Sequence, residues 1–308
     1  MPVTDVWRML TASMEGDDAT VRSLVDAEPA LIDGRYDYTS PLHFAVREGH
    51  FDLVKFFVKN GALDPEYYMH PFRVDIVTIA ADRGLVDIAE YLKEQLAATA
   101  VDPERWDTGR IEYGFDEEQV RFQQAVDKGD LDTVRSMLNN RSDLATFENA
   151  NWGEGILATA ANSNDRPMVE LLMKHGATVP EMSKWGARYY FKHLEMAQFL
   201  MENGMPPNHM NWREFTLLHD MVFTGEIKKA KLLLDHGAKV NAIDDEFRST
   251  PLGWAAYWNR PEFVPVLLKY GADPDISGAD WSTPTAWALK KGHAEIMRAL
   301  NSGGSSAG

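Results

Sequence analysis

The residues of this chain able to carry chemistry are nine histidines, forty-seven carboxylates and nine tryptophans, and their spacing limits what they can do. No pair of histidines, and no histidine beside a carboxylate cluster, sits at metal-ligand spacing, so no metal is expected. Gly-rich phosphate loops, a nucleophile elbow and an HExxH helix are all missing, and no cofactor is expected. Glycoside hydrolysis needs two carboxylates across the scissile bond. The pairing the sequence offers is Asp220 with Glu154 or Asp245. The acidic run Asp244-Asp245-Glu246 reads as a solvated loop. The tryptophans are better ordered. Trp254 and Trp287 are separated by 33 residues, and so are Trp152 and Trp185. Tyr257 and Trp258 follow the first pair, and Trp212 and Trp281 stand in comparable loop positions.

That recurrence belongs to the whole chain. Pro251-Leu252 and Pro284-Thr285 open units one period apart; Gly204-Met205, Gly237-Ala238 and Gly271-Ala272 close successive units at nearly the same spacing. Ser40-Pro41-Leu42-His43-Phe44-Ala45 opens a similar unit that closes at Asn60-Gly61-Ala62. Each unit reads as an Ala-rich short helix, a Gly or Asn turn, a Leu/Val-rich helix and a Gly that stops it. Proline at the first helical position lacks an amide proton that would go unpaired there. One unit cannot bury its apolar face alone, so neighbours must stack.

These residues resemble the ankyrin repeat, with its Thr-Pro-Leu-His opening, two helices and Gly-Ala-Asp close. About nine copies cover nearly the whole chain, and the expected fold is an all-α ankyrin-repeat solenoid of helix-turn-helix units with short β-turn loops. Gly16 to Ser23 matches Gly129 to Ser136 at six of eight positions, which points to an internal duplication. The expected organisation is a three-repeat block over 1–100, a loop insertion over 101–115, about six repeats over 116–301 and a disordered tail over 302–308. Repeat six is short by about five residues near its first helix, so a gap in the inner wall is expected there. His43 and His219 are the motif histidines; His50 and His293 follow the helix turn; His70, His193 and His209 have no place in the pattern.

The resemblance also implies a binding face. In the family, loops and first helices line a concave side, and the residue after the motif histidine points inward. That places Asp220, Trp254 and Trp287 on the inner face, with Tyr257 and Trp258 at the groove or its rim. Trp152, Trp185, Trp212 and Trp281 fall in the loops, with Tyr36, Tyr38, Tyr67 and Tyr68 in the corresponding loops of the first block. The implied function is a non-catalytic scaffold for a protein or peptide, with a small-molecule or sugar pocket near repeat six as the alternative.

Composition agrees with a folded, water-soluble chain: 44% hydrophobic and 25% charged residues. The formal charge of −16 opposes phosphate backbones and anionic membranes and favours a basic or neutral partner. No stretch of membrane-spanning length occurs, and a cytoplasmic location is expected. The absence of cysteine excludes disulfides and thiolate chemistry.

Overall fold

The computed structural model describes residues 3–101, 116–147, 155–183 and 188–304. The insertion over 101–115 therefore lies almost wholly outside the described residues, as do Trp152, Glu154 and Trp185. The chain divides into two compact units, Met1–Tyr113 and Gly114–Gly308.

The first unit holds three helix pairs: α1 (Val3–Glu15) with α2 (Asp18–Ala27), α3 (Pro41–Glu48) with α4 (Phe51–Lys59), and α5 (Ile76–Asp82) with α6 (Val86–Ala98). The second unit continues with α7 (Glu117–Asp127) and α8 (Leu131–Asn140), α9 (Ile156–Asn162) and α10 (Arg166–Lys174), then α11 (Leu194–Glu202). It ends with α12 (Leu217–Thr224) and α13 (Ile227–Asp235), α14 (Pro251–Tyr257) and α15 (Val264–Lys269), and α16 (Pro284–Lys291) and α17 (Ala294–Gly304). First helices stack on first helices, as α1 on α3 and α12 on α14 on α16; second helices stack on second helices, as α4 on α6 and α15 on α17. This is an all-α stack of helix-turn-helix units.

The repeating residues recur because the same backbone bonds recur. After the second helices α4, α10, α13 and α15 the amide following the glycine donates five residues back: Ala62 to Phe57, Ala177 to Leu172, Ala238 to Leu233 and Ala272 to Leu267. That bond closes only if the intervening glycine is left-handed, as Gly237 is at φ 86°. The first helices end on a matching bond to the motif alanine, for example His50 to Ala45 and Arg260 to Ala255. Those alanines are completely buried, where a larger side chain would hold neighbouring helices apart.

A second series of bonds joins successive units. A basic side chain at the helix turn donates to a carbonyl near the end of the preceding first helix, or in the stretch that replaces it. The pairs are His50 to Met14 at 2.9 Å, His193 to Asn162 at 3.2 Å, Lys229 to Lys192 at 3.0 Å, Arg260 to Phe223 at 2.8 Å and His293 to Ala256 at 2.8 Å. These carbonyls have no acceptor role inside their own helix. His193, which the sequence pattern left without a place, is one of the clasps.

Repeat six has no first helix among its described residues, and Tyr190 and Phe191 in the stretch that stands there are each 1% exposed. One expectation is corrected. At the C-terminus the helix continues through Ser302 to Gly304, so the start of the supposed tail is α17.

Candidate functional site

The fingers of repeats six to nine and the first helices of repeats seven to nine bring most of the sequence-singled residues together, in an arrangement that differs from the expected one. Trp254 and Trp287 are 0% exposed. The Trp254 indole N–H donates to Asp244 Oδ2 at 2.7 Å, and its ring packs against Phe215, His219 and Phe247. The Trp287 N–H donates to Ser249 Oγ at 2.7 Å, and Ser249 Oγ in turn donates to the Ser282 carbonyl at 2.8 Å. Both indoles therefore fasten fingers to helices, and neither presents an aromatic wall to a partner. The bulk that the repeat itself does not require is used to bury the underside of the fingers.

The finger between α13 and α14 makes this possible. Asp244 is 0% and Glu246 1% exposed, so the acidic run is not a solvated loop. Asp244 accepts three N–H groups: Phe247 at 2.6 Å, Ser249 at 3.1 Å and the Trp254 indole. Burial pushes its carboxyl up to about 6 despite those donors. Phe247, which the sequence reading passed over, is 4% exposed and lies against Trp254, Tyr257 and Trp258. Gly253 stands where the motif has histidine, because a Cβ there would sit 2.8 Å from Ser249 Cβ. The finger approaches the helix too closely for any side chain.

The motif histidine of the preceding repeat is intact. His219 Nδ1 accepts from the Thr216 amide at 3.1 Å while Nε2 donates to the Ser249 carbonyl at 3.1 Å, which fixes one neutral tautomer. Complete burial lowers its pKa to about 3. His209 is similarly occupied: Nδ1 donates to Pro180 O at 2.6 Å, and Nε2 accepts from Ser183 Oγ at 3.0 Å. Desolvation holds this ring below the usual histidine range.

What remains accessible is a smaller surface. Tyr257 is 7% exposed, whereas Trp258 is half-buried and packs on half-buried Phe223 at 4.8 Å. Arg188 lies over the Phe223 ring at 5.9 Å, and Lys291 over the Tyr257 ring at 4.2 Å. Phe223, Trp258 and Tyr257 thus form a continuous aromatic run with a cation at each end. Asp220 is buried, and Arg188 donates to both its oxygens at 3.1 to 3.3 Å. Asp245 pairs with Arg248 at 3.6 Å. Two of the three candidate acids of the sequence, Asp220 and Asp245, are thus engaged with arginines, and Glu154 lies outside the described residues. Trp212 and Trp281 are half-buried; Arg213 lies 5.7 Å from the first, and the second packs edge-on to Trp287 at 5.5 Å. Trp152 and Trp185 lie outside the described residues. Among the described residues no group of three or more His, Asp or Glu side chains could hold a metal, and no helix is long and apolar enough to cross a membrane.

Stacked helix pairs with protruding fingers define a helical repeat protein, whose recognition surfaces are the faces repeated along the stack. The sequence profile described as "Ankyrin repeats (3 copies)" matches residues 9–104 and 184–278, and the chain belongs to the ankyrin-repeat family. Such repeats generally mediate protein–protein interaction. Among curated proteins the chain is similar to the palmitoyltransferase AKR1 of Lachancea kluyveri, 25% identical over 58% of this chain and 26% of that protein. It is also similar to the E3 ubiquitin-protein ligase Ufd4 of Drosophila melanogaster, 33% identical over 35% of this chain and 4% of that protein. The human ARF GTPase-activating protein GIT1 is 35% identical over 27% of this chain and 11% of that protein. The chain thus spans about a quarter or less of each relative. A solved ankyrin repeat domain from Acinetobacter baumannii matches 60% of this chain and 98% of its own length, at 20% identity and a TM-score of 0.49.

Proposed function

We propose that the chain is a non-catalytic interaction module whose partner protein docks on the first-helix and finger side of repeats six to nine. The observation that carries this reading is the half-exposed Phe223–Trp258 pair, extended by Tyr257 and flanked by Arg188 and Lys291. An aromatic centre with charged groups at its ends is the composition in which binding energy concentrates. The half-buried Trp212 and Trp281 lie on fingers of the same unit and extend the contact. Trp254, Trp287 and Asp220 support this surface from below. The alternative of a hydrolytic sugar pocket is weakened at the two of its acids that lie among the described residues, since Asp220 and Asp245 each face an arginine.

The test is capture of partners from lysate of the native host by the immobilised chain, quantified against Phe223→Ala/Trp258→Ala. Retention of a defined set of proteins that falls at least tenfold with the double variant is expected. Equal retention by both forms would remove this face from the proposal.

A further inference from the structure

Two adjacent fingers of the N-terminal unit carry exposed tyrosines. In the first, Tyr36 and Thr39 close a tight turn through paired backbone bonds of 3.2 and 2.9 Å. Both residues between them have positive φ, 50° at Asp37 and 60° at Tyr38. A two-residue turn of this hand is ordinarily filled by Asn-Gly or Asp-Gly. Tyrosine there places a Cβ against its own carbonyl and is strained. The strained residue is also 48% exposed, so core packing does not account for it.

Its surroundings repeat the theme. The Tyr38 ring reaches His70 on the next finger, 5.1 Å between centroids, and Tyr68 on that finger is 50% exposed. On the other side of the turn, Tyr36 rests on Trp7 at 4.7 Å, and Trp7 is 37% exposed. Single exposed aromatics are ordinary; Tyr38 at a loop tip on a strained backbone, with exposed Tyr68 in the strand of the next finger and Trp7 on α1, has the composition of a contact surface.

We propose that this fingertip surface of the N-terminal unit docks a partner segment bearing arginine or lysine side chains. It is separate from the surface assigned to repeats six to nine and does not depend on that assignment. Two observations select a cationic segment. Carboxylates outnumber lysine and arginine about two to one in the unit, and exposed Glu66 stands two residues from Tyr68. Exposed tyrosine and tryptophan rings offer negative faces on which a guanidinium or ammonium settles. Arg73, exposed at the tip of the second finger with φ 55°, opposes such a segment and so supplies a test of sign.

The experiment titrates the full chain with a fluorescent peptide of three Arg-Gly-Gly repeats, and with its counterpart carrying glutamate for arginine, at low ionic strength. The arginine peptide is expected to bind and the glutamate peptide to bind more weakly. Tyr38→Gly and Tyr68→Ala are each expected to weaken the arginine peptide about two- to five-fold without changing net charge. Arg73→Glu should strengthen it. Thermal melts of every variant separate lost contact from lost fold. Wild-type affinity in both tyrosine variants would show that general acidity alone attracts the peptide and would overturn the proposal. So would tighter binding of the glutamate peptide, or no binding of either.

Discussion

Replacing Trp254 with alanine should unfold part of the C-terminal unit, and the structure supplies the size of the effect. The side chain is fully enclosed, packed against Phe215, His219 and Phe247 and bonded to Asp244. An aromatic of this kind buries roughly 150–250 Å², worth about 4–6 kcal/mol at about 25 cal/mol per Å². Partial collapse of the cavity brings the expectation to about 3–5 kcal/mol. Trp254→Phe retains most of the area and loses the N–H to a buried carboxylate, for about 1–3 kcal/mol. Urea melts followed by far-ultraviolet circular dichroism measure both. Since repeat stability is a sum of local terms, the alanine variant should also show a first transition of reduced slope as repeats seven to nine open before the rest. An alanine variant within about 1 kcal/mol of wild type, yet unable to bind partners, would refute the reasoning and return Trp254 to the surface role expected from sequence.

Other consequences are equally specific. Gly253→Ala should destabilise by about 1–3 kcal/mol, because its Cβ would lie 2.8 Å from Ser249 Cβ; an unchanged melting curve would show that the finger moves aside at no cost. Tyr38→Gly should be more stable than Tyr38→Ala by about 1 kcal/mol in thermal melts, since both lose the ring and only alanine keeps the left-handed strain; equality would mean the turn relaxes. Asp244, raised to about 6 by burial, binds a proton more readily in the folded than in the unfolded state, so its contribution to stability is greatest below about pH 4 and is lost as pH rises through about 6. Comparing wild type with Asp244→Asn at pH 4 and 7 isolates it: the difference should shift in favour of the variant at the higher pH. A pH-independent difference would contradict the burial argument. Arg188→Met should cost about 1–2 kcal/mol by chemical denaturation, discounted for the partial exposure of Arg188, since it leaves the buried Asp220 carboxylate unpaired; no loss would show that water or Lys side chains replace the pair.

The fold was legible because the residues that close each unit are the ones that repeat. Gly237 and Ala238, or Gly271 and Ala272, mark the end of a helix whatever the composition of the helix before them. The candidate site was less legible because a period gives a residue's address along the stack and not its depth. Trp254 and Trp287 occupy the expected inner position, but the finger carrying Phe247 folds over the first, and Ser249 on the same finger accepts from the second. No signal in the spacing announces that cover. The one hint was Gly253 in place of histidine, since a missing side chain implies a close neighbour. Asp244 was misjudged for the same reason: an acidic run looks solvated until its donors, two backbone amides and an indole, are brought around it. His193 became intelligible only when its distance to Asn162 matched the other turn clasps.

The measurement that bears most directly on the central claim is hydrogen–deuterium exchange of the chain with and without its captured partner. Slowed exchange confined to the fingers and first helices of the C-terminal unit, over residues 210–225, 243–260 and 278–291, is the predicted result. Protection confined to the second helices α13, α15 and α17, or none in this unit, would contradict it.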